Sequence, residues 1–312
     1  MVNVHIDPDF ADAALRERVY AGDVVVRTHV PEIAAFAEFT QALVTEAFAP
    51  NDPLTIQQAR GHTELADLLI EFKPRFIHHP ESQEHVRRIT TALGAVPEDL
   101  YADVPKLRTA FPTGHLNTGI AYAFQAHRDT WYAAPPQQLN WWMPIWPVAE
   151  NNAMEFYPRY FGNARENNSG DYNYYVANAW RGHIKDFSGG KDTRMHPAPV
   201  SPLGPEEPVL RVLPPVGGIM IFSGDQLHAT TPNSSGVARY SVDFRTVHAP
   251  DVRSGVGAPR ADVACQGTSL RDFHRVTDGA AFTDDDIARY DTDGAVAEGL
   301  SVYTPAGIHS PP

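Results

Sequence analysis

Two side chains in the stretch "AFQAHRDTWY", His127 and Asp129, are of types that bind metal or move protons, and they stand two residues apart. A protein-kinase catalytic loop also contains H-R-D, but it carries an Asn five positions after the Asp. Here that position is Ala134. A Gly-rich phosphate loop, a V-A-I-K-like strand and a D-F-G are also missing, since "DFS" at Asp186 does not replace the last. The kinase reading fails on each of these counts. A metal reading asks for convergence. If the run ends a strand, residues i and i+2 share a face, so an imidazole and a carboxylate would meet at one point. Such a pair is two-thirds of the 2-His-1-carboxylate set that holds non-haem Fe(II). The plainer alternative is two surface groups that hydrogen-bond to each other.

A third candidate ligand follows downstream. In "GGIMIFSGDQLHATTPNSSGVARYSVDFR", His228 comes after an apolar run and a turn. Beyond it, Arg239, Ser241, Asp243 and Arg245 alternate with Tyr240, Val242 and Phe244, so one face of that strand is polar and charged. An edge strand with a solvated face would look the same. A barrel interior needing a fixed cation for an anionic cosubstrate would also look so. Arg suits that task, because its planar fork grips a carboxylate through two hydrogen bonds. Ser241 could add a hydroxyl from the same face. His183, His196 and His248 are rival ligands.

These residues need elements to hold them. The first third of the chain reads as mostly helical. "AGDVVVRTHV" is a β-branched run that suggests a strand. "PEIAAFAEFTQALVTEAF" has Ile33, Phe36, Phe39, Leu43 and Phe48 at helical spacing, with Pro31 suited to its first turn. "TELADLLIEF" and "ESQEHVRRITTAL" suggest further helices. Near Phe111 the pattern changes, and to about Val247 short aromatic and β-branched runs are punctuated by Pro, Gly and Asn, as in a sandwich or barrel. The expected strands are "TGIAYAFQAHRD", "QQLNWWMPIW", "AMEFYP", "PVLRVLPP", "GGIMIFSGD" and "ARYSVDFRTV". The chain thus divides into a mostly helical flank (1–110), a β-core (111–250) interrupted by a polar, lid-like insertion (161–208), and a C-terminal extension (251–312), all read as one domain. A helical layer on one β-core is an accepted layer architecture.

Composition limits the partners. The chain has 312 residues, 43% hydrophobic and 20% charged, ordinary for a globular protein. Its formal net charge is −13 and it has no Lys/Arg run, which argues against nucleic acid and against an anionic membrane surface. Cys265 is the single cysteine, so neither an intramolecular disulfide nor a cysteine zinc cluster can form. "MVNVHIDPDF" lacks a basic segment followed by an apolar run, and no stretch reaches the length of a membrane span. The expectation is a cytoplasmic protein with a small-molecule substrate. Its oligomeric state is not legible.

Together, "HRD", "PIWPVAENNAMEFYPRYF" and "GGIMIFSGDQLHATTPNSSGVARYS" resemble the Fe(II)- and 2-oxoglutarate-dependent oxygenases, in their phytanoyl-CoA dioxygenase-like branch. The likeness covers roughly Thr118 to Val247. Asn152 stands where that branch often has Gly, and "YPRYF" replaces its P-G-S-H. The resemblance implies a double-stranded β-helix (jelly-roll, cupin-like) core flanked by helices. It implies that His127, Asp129 and His228 are the metal ligands and that Arg239, with Ser241, holds the distal carboxylate of 2-oxoglutarate. Gln125 and Asn140 would lie near the cosubstrate. Fe(II), 2-oxoglutarate and O₂ would together oxidise an unactivated C–H, giving succinate and CO₂. The related halogenases lack the carboxylate, so Asp129 argues against halogenation.

Four of the five tryptophans lie between Trp131 and Trp146. Trp141 and Trp142 cannot both face inward from one strand, so at least one packs outside. Trp131, Tyr132, Trp142 and Arg181 could form a substrate wall, since aromatic faces suit the apolar faces of sugar rings. Arg181, His183, Lys185 and Lys191 could close over a substrate or simply be solvated. The "HRDTWY…NWW" block is similar to bacterial oxygenases that make orthoester or methylenedioxy bridges in orthosomycin-type oligosaccharide and aminoglycoside antibiotics. This implies oxidative ring closure on a sugar, with hydroxylation of a sugar or other small molecule as the alternative. A sugar-binding jelly roll, a zinc hydrolase and an oxygenase of CoA thioesters are competing classes. A lectin has no use for Arg239, and the net negative charge disfavours CoA.

Overall fold

The computed structural model describes residues 2–117, 120–121, 123–179 and 195–291, together with the backbone of a hairpin formed by Val302–Thr304 and Gly307–His309. The fold places one large sheet between a helical layer and a small sheet.

The large sheet runs β1 (Val4–Ile6), β2 (Val24–Arg27), β8 (Ile219–Ser223), β5 (Leu139–Pro144), β10 (Arg239–His248), β3 (Leu100–Ala102), β11 (His274–Arg275), with β4 (Lys106–Ala110) also paired to β10. β1 and β2 are parallel, while β8, β5, β10, β3 and β4 pair antiparallel. The small sheet is β7 (Leu210–Arg211), β6 (Met154–Phe156) and β9 (His228–Thr230). Two facing sheets with helices on one outer side form the jelly-roll core with flanking helices that the resemblance implies.

Period-two alternation decides what each face does. On β10, Tyr240, Val242 and Phe244 point into the main apolar core, and on β5 so do Leu139, Trp141 and Met143. That core is closed by α1 (Asp12–Tyr20), α2 (Pro31–Phe48), α3 (Ile56–Ala59), α4 (His62–Ile77) and α5 (Pro80–Ala92). α2 begins at Pro31, whose missing N–H costs nothing in a first turn, and buries Ile33, Phe36, Val44 and Phe48. Each such side chain removed from water contributes about 1.5–3 kcal/mol. The alternate residues face the small sheet, where Trp142, Met154, Phe156, Met220 and Phe222 form a second core. Trp141 therefore stacks on Phe244 outside the sheet sandwich, and Trp142 points in.

Two expectations change. The segment 1–110 is mostly helical but also supplies β1–β4 to the large sheet; β3 and β4 are short and were invisible to periodicity. "TGIAYAFQAHRD" is not a strand over its described residues. Only His127 pairs, through an antiparallel bridge to His228, and Asp129 then opens a 3-10 turn, Asp129–Tyr132.

Candidate metal and 2-oxoglutarate site

The His127–His228 bridge is the foundation of the site. The His127 amide donates to the His228 carbonyl at 2.9 Å, and the reverse bond is also 2.9 Å. Directly paired residues put their side chains on the same side, and the two imidazole centroids lie 4.4 Å apart. Nδ1 of His127 lies 2.7 Å from the carbonyl oxygen of Gln125, and Nδ1 of His228 lies 2.9 Å from that of Gln226. A carbonyl only accepts, so each Nδ1 carries the proton and each Nε2 is left with a lone pair. A metal-ligating histidine is usually oriented in this way. Burial pushes the His228 imidazole down to about 4, and the charge of His127 adds to this, so His228 stays neutral at ordinary pH.

Asp129 reaches the same point by a different route from a strand end. Its amide donates to the Gly224 carbonyl at 2.8 Å, which places the turn against the end of β8. Asp129 Oδ2 accepts from Gln138 Nε2 at 2.9 Å and from Asn140 Nδ2 at 2.7 Å. Asp129 Oδ1 faces His127 Nε2 at 3.5 Å. Burial opposes ionisation of Asp129, but the Arg245 charge helps to outweigh it, and the carboxyl is held far below its usual range. Ligand atoms of His127, Asp129 and His228 all lie within 4.8 Å of one another, and they are the one such group among the described residues. Two imidazoles and one ionised carboxylate, all buried, are the donor set that Fe(II) takes.

Arg239 supplies the second half. Its side chain is buried, lies 5.9 Å over the Trp142 ring, and reaches the carbonyls of Asn152 and Ala153 only at 3.4 Å. Its Nε has no partner among the described residues. Burial lowers its guanidinium to about 10, still fully charged at neutral pH. A buried guanidinium without a carboxylate is costly unless an anion completes it. Ser241 stands two residues on, fully buried, with its hydroxyl unbonded. Of the two, Arg239 lines the cavity, and its guanidinium fits the distal carboxylate of 2-oxoglutarate.

Both ends of this site open on one cavity of about 370 Å³. His127, Asp129, His228, Arg239, Asn140, Tyr132 and Trp142 line it. Other expectations are corrected. Trp131 is fully buried, packs on Tyr157 and Leu227, and donates its indole N–H to Asp262 at 2.8 Å, so it braces the turn rather than touching substrate. The Gln125 side chain is exposed, and only its carbonyl serves the site. Ser241 lies behind the cavity wall. Arg181, His183, Lys185 and Lys191 lie outside the described residues. Arg128, the middle residue of "HRD", is 1% exposed and bonds the carbonyls of Asp225, Tyr160 and Asn163, which fixes the turn. His196 lines the cavity but is not part of the three-ligand group, and His248 sits at the far end of β10 against Asp251.

Several lining groups were missed by sequence. Gln138 could have been read with Asn140 as an i, i+2 pair entering a strand. Tyr172, Tyr174, Asn178 and Met195 come from the insertion read as a lid, and α6 (Tyr174–Ala179) carries three lining residues. Lys73, from α4, had no local signal.

Residues 20–241 match the family described as phytanoyl-CoA dioxygenase (PhyH). The chain belongs to this family. As a PhyH-family member it is an Fe(II)- and 2-oxoglutarate-dependent dioxygenase. The metal and cosubstrate supply the oxidising power, and the protein orients and encloses the C–H. Among solved structures, the chain is similar to the non-heme monooxygenase ThoJ in its apo form (16% identity, 86% of this chain and 86% of that one, TM-score 0.41). It is also similar to SnoN, a non-heme alpha-ketoglutarate-dependent epimerase from nogalamycin biosynthesis (17%, 88% and 98%, TM-score 0.38), and to EvdO2 from Micromonospora carbonacea var. aurantiaca (14%, 77% and 91%, TM-score 0.42). No curated protein matches the chain. No helix among the described residues is long and apolar enough to cross a membrane.

Proposed function

We propose that this PhyH-family dioxygenase binds its iron through His127, Asp129 and His228, holds 2-oxoglutarate with Arg239, and oxidises a sugar-bearing natural product, closing a C–O ring of the orthoester or methylenedioxy kind in the making of an oligosaccharide antibiotic. The chain acts as one oxygenase domain, with the insertion 161–208 walling the site. The observation that carries the substrate reading is an aromatic wall beside the histidines. The ring of Phe124 lies 5.1 Å from that of His127, Tyr132 lies 5.3 Å from His127, and Tyr172 lies 5.2 Å from Tyr132. Asn178 and His196 add polar groups to the same cavity. Flat aromatic faces with a few polar groups suit a ring that is apolar on its faces and hydroxylated at its rim. The likeness of the segment 127–142 to oxygenases that build such bridges points the same way.

Ring closure removes one hydrogen from carbon and one from a neighbouring hydroxyl; O₂ accepts these two electrons and two more from 2-oxoglutarate, so that one oxygen atom ends in succinate, released with CO₂, and the other in water. Arg239 weighs against a lectin and a zinc hydrolase, neither of which needs a buried cation reserved for a dicarboxylate. The test is succinate formation from 2-oxoglutarate in air with Fe(II), with and without an oligosaccharide antibiotic precursor, followed by the product mass. Iron-dependent turnover raised by the sugar, with a product lighter by two hydrogens, supports ring closure. A product heavier by one oxygen replaces it with hydroxylation. No response to any sugar precursor sinks the substrate reading.

A further inference from the structure

Five basic side chains line the cavity: Lys73, Lys106, Arg108, Arg239 and Arg245. Three of them are matched. Lys106 pairs with Asp103, Arg108 grips Asp243 at 2.6 Å, and Arg245 lies 3.0 Å from Asp103 and 3.8 Å from Asp129. Arg239 and Lys73 have no carboxylate within ion-pair distance among the described residues. They stand on different walls, Arg239 on β10 and Lys73 on α4.

Lys73 is 8% exposed. Its Nζ donates to Thr109 Oγ1 at 3.2 Å and to the carbonyl of Ile120. Both acceptors are neutral, and an ammonium has three donors, so one remains. Burial pushes the Lys73 ammonium down to about 7, with the Arg108 charge adding to it and Asp243 opposing it. An amine held this way, open to a cavity, gains a counter-charge when an anion arrives.

Cosubstrate and metal do not supply that anion. 2-Oxoglutarate has two carboxylates: one would be held at the metal by His127, Asp129 and His228, and the other fits Arg239. Lys73 is left over. The same cavity is lined by Pro74 and Ile77 from the same helix, by Leu107 from β4, and by Ile120 and Ala121 from the loop Lys73 bonds, with the polar Thr109 and the Arg108–Asp243 pair also on its wall. Phe124 lines the cavity next to the candidate metal ligands, its ring 5.1 Å from the His127 ring and 5.6 Å from the Arg108 guanidinium carbon.

We propose that Lys73 anchors a second anion subsite, which takes a carboxylate of the organic substrate on an aliphatic or aryl arm, while the C–H to be oxidised lies on the metal side of Phe124. The substrate is therefore an acid as well as a ring-bearing molecule. This rests on the reading of Arg239 as the partner of 2-oxoglutarate, and the test separates the two.

The protein is loaded with Fe(II) and saturating 2-oxoglutarate without oxygen, and binding of hexanoate and of its neutral analogue hexanamide is measured by calorimetry. The wild type is expected to prefer hexanoate by about tenfold or more, the size of one charge-assisted hydrogen bond. Lys73→Gln abolishes the preference and Lys73→Arg keeps it, while Arg239→Gln weakens 2-oxoglutarate itself. A cooperative thermal transition in each variant shows that it is folded, and Lys73→Met repeats the loss if Lys73→Gln does not fold. Equal affinities in the wild type, or a preference that survives Lys73→Gln, overturn the subsite. A loss of 2-oxoglutarate affinity in Lys73→Gln but not in Arg239→Gln also overturns it, and makes Lys73 the cosubstrate clamp. Failure of the wild type to bind 2-oxoglutarate would instead count against the function proposed above.

Discussion

Asn140 Nδ2 lies 2.7 Å from Asp129 Oδ2, and Gln138 Nε2 lies 2.9 Å from the same oxygen. One amide from β5 and one from the residue just before it thus occupy one carboxylate oxygen and leave Oδ1 turned toward the histidines. The consequence is a carboxylate that offers a metal one oxygen in a fixed direction.

Removing this support should weaken the metal without removing a ligand. Asn140→Ala is expected to reduce Co(II) or Mn(II) affinity by about 10- to 100-fold, the usual cost of a lost outer-shell partner. Calorimetric titration of the metal-free protein measures it. Unchanged affinity would mean that Gln138 alone positions Asp129.

His228 and His248 separate a ligand from a bystander. His228 Nε2 is free to bind metal because Nδ1 is engaged by Gln226, whereas His248 Nδ1 sits 3.2 Å from Asp251. His228→Ala should lose more than about a hundredfold in metal affinity, beyond the range of outer-shell effects. His248→Ala should bind metal as the wild type does. Equal loss in both variants would rule out the assigned triad.

Arg239→Ala should raise the 2-oxoglutarate dissociation constant by about tenfold or more, since a buried charge-assisted pair is lost. Succinate production at low 2-oxoglutarate falls with it and recovers in part at high concentration. Metal affinity stays the same. A variant with normal 2-oxoglutarate affinity would send the distal carboxylate elsewhere in the cavity.

Lys73 makes stability depend on pH. Its folded-state pKa of about 7 lies below the ordinary lysine value of 10.5, so between these values the unfolded chain binds more protons than the folded one. Stability conferred at this position therefore rises from pH 7 toward 10.5, and below pH 7 the cost of the buried ammonium is fully present. In the metal-free protein, Lys73→Met should gain in Tm over the wild type at pH 6, by roughly 3 °C or more. The gap should shrink by pH 9.5. Calorimetric scans at both values measure it, and a constant gap would show that Lys73 stays charged throughout.

The donor types and their order, His127, Asp129, His228 and then Arg239, were legible in the sequence, because a ligand set is a matter of residue chemistry. So were α2 and the two-faced strand β10, whose apolar spacing repeats within a few residues and reflects only local geometry. Trp141 and Trp142 were correctly divided between two sides for the same reason. Tertiary structure decided everything that depends on contacts across long stretches of chain. Asp129 meets the histidines through a turn held by Gly224, not through a strand face, and Trp131 turns away to Asp262. β3 and β4 are strands because β10 pairs with them, although neither is long enough to show a period. Lys73 follows the apolar run TELADLLIEF and carries no local signal. It becomes a buried cation in the cavity only because α4 packs beside β4 and brings it to Thr109 and Ile120, and no local pattern encodes a contact of that kind.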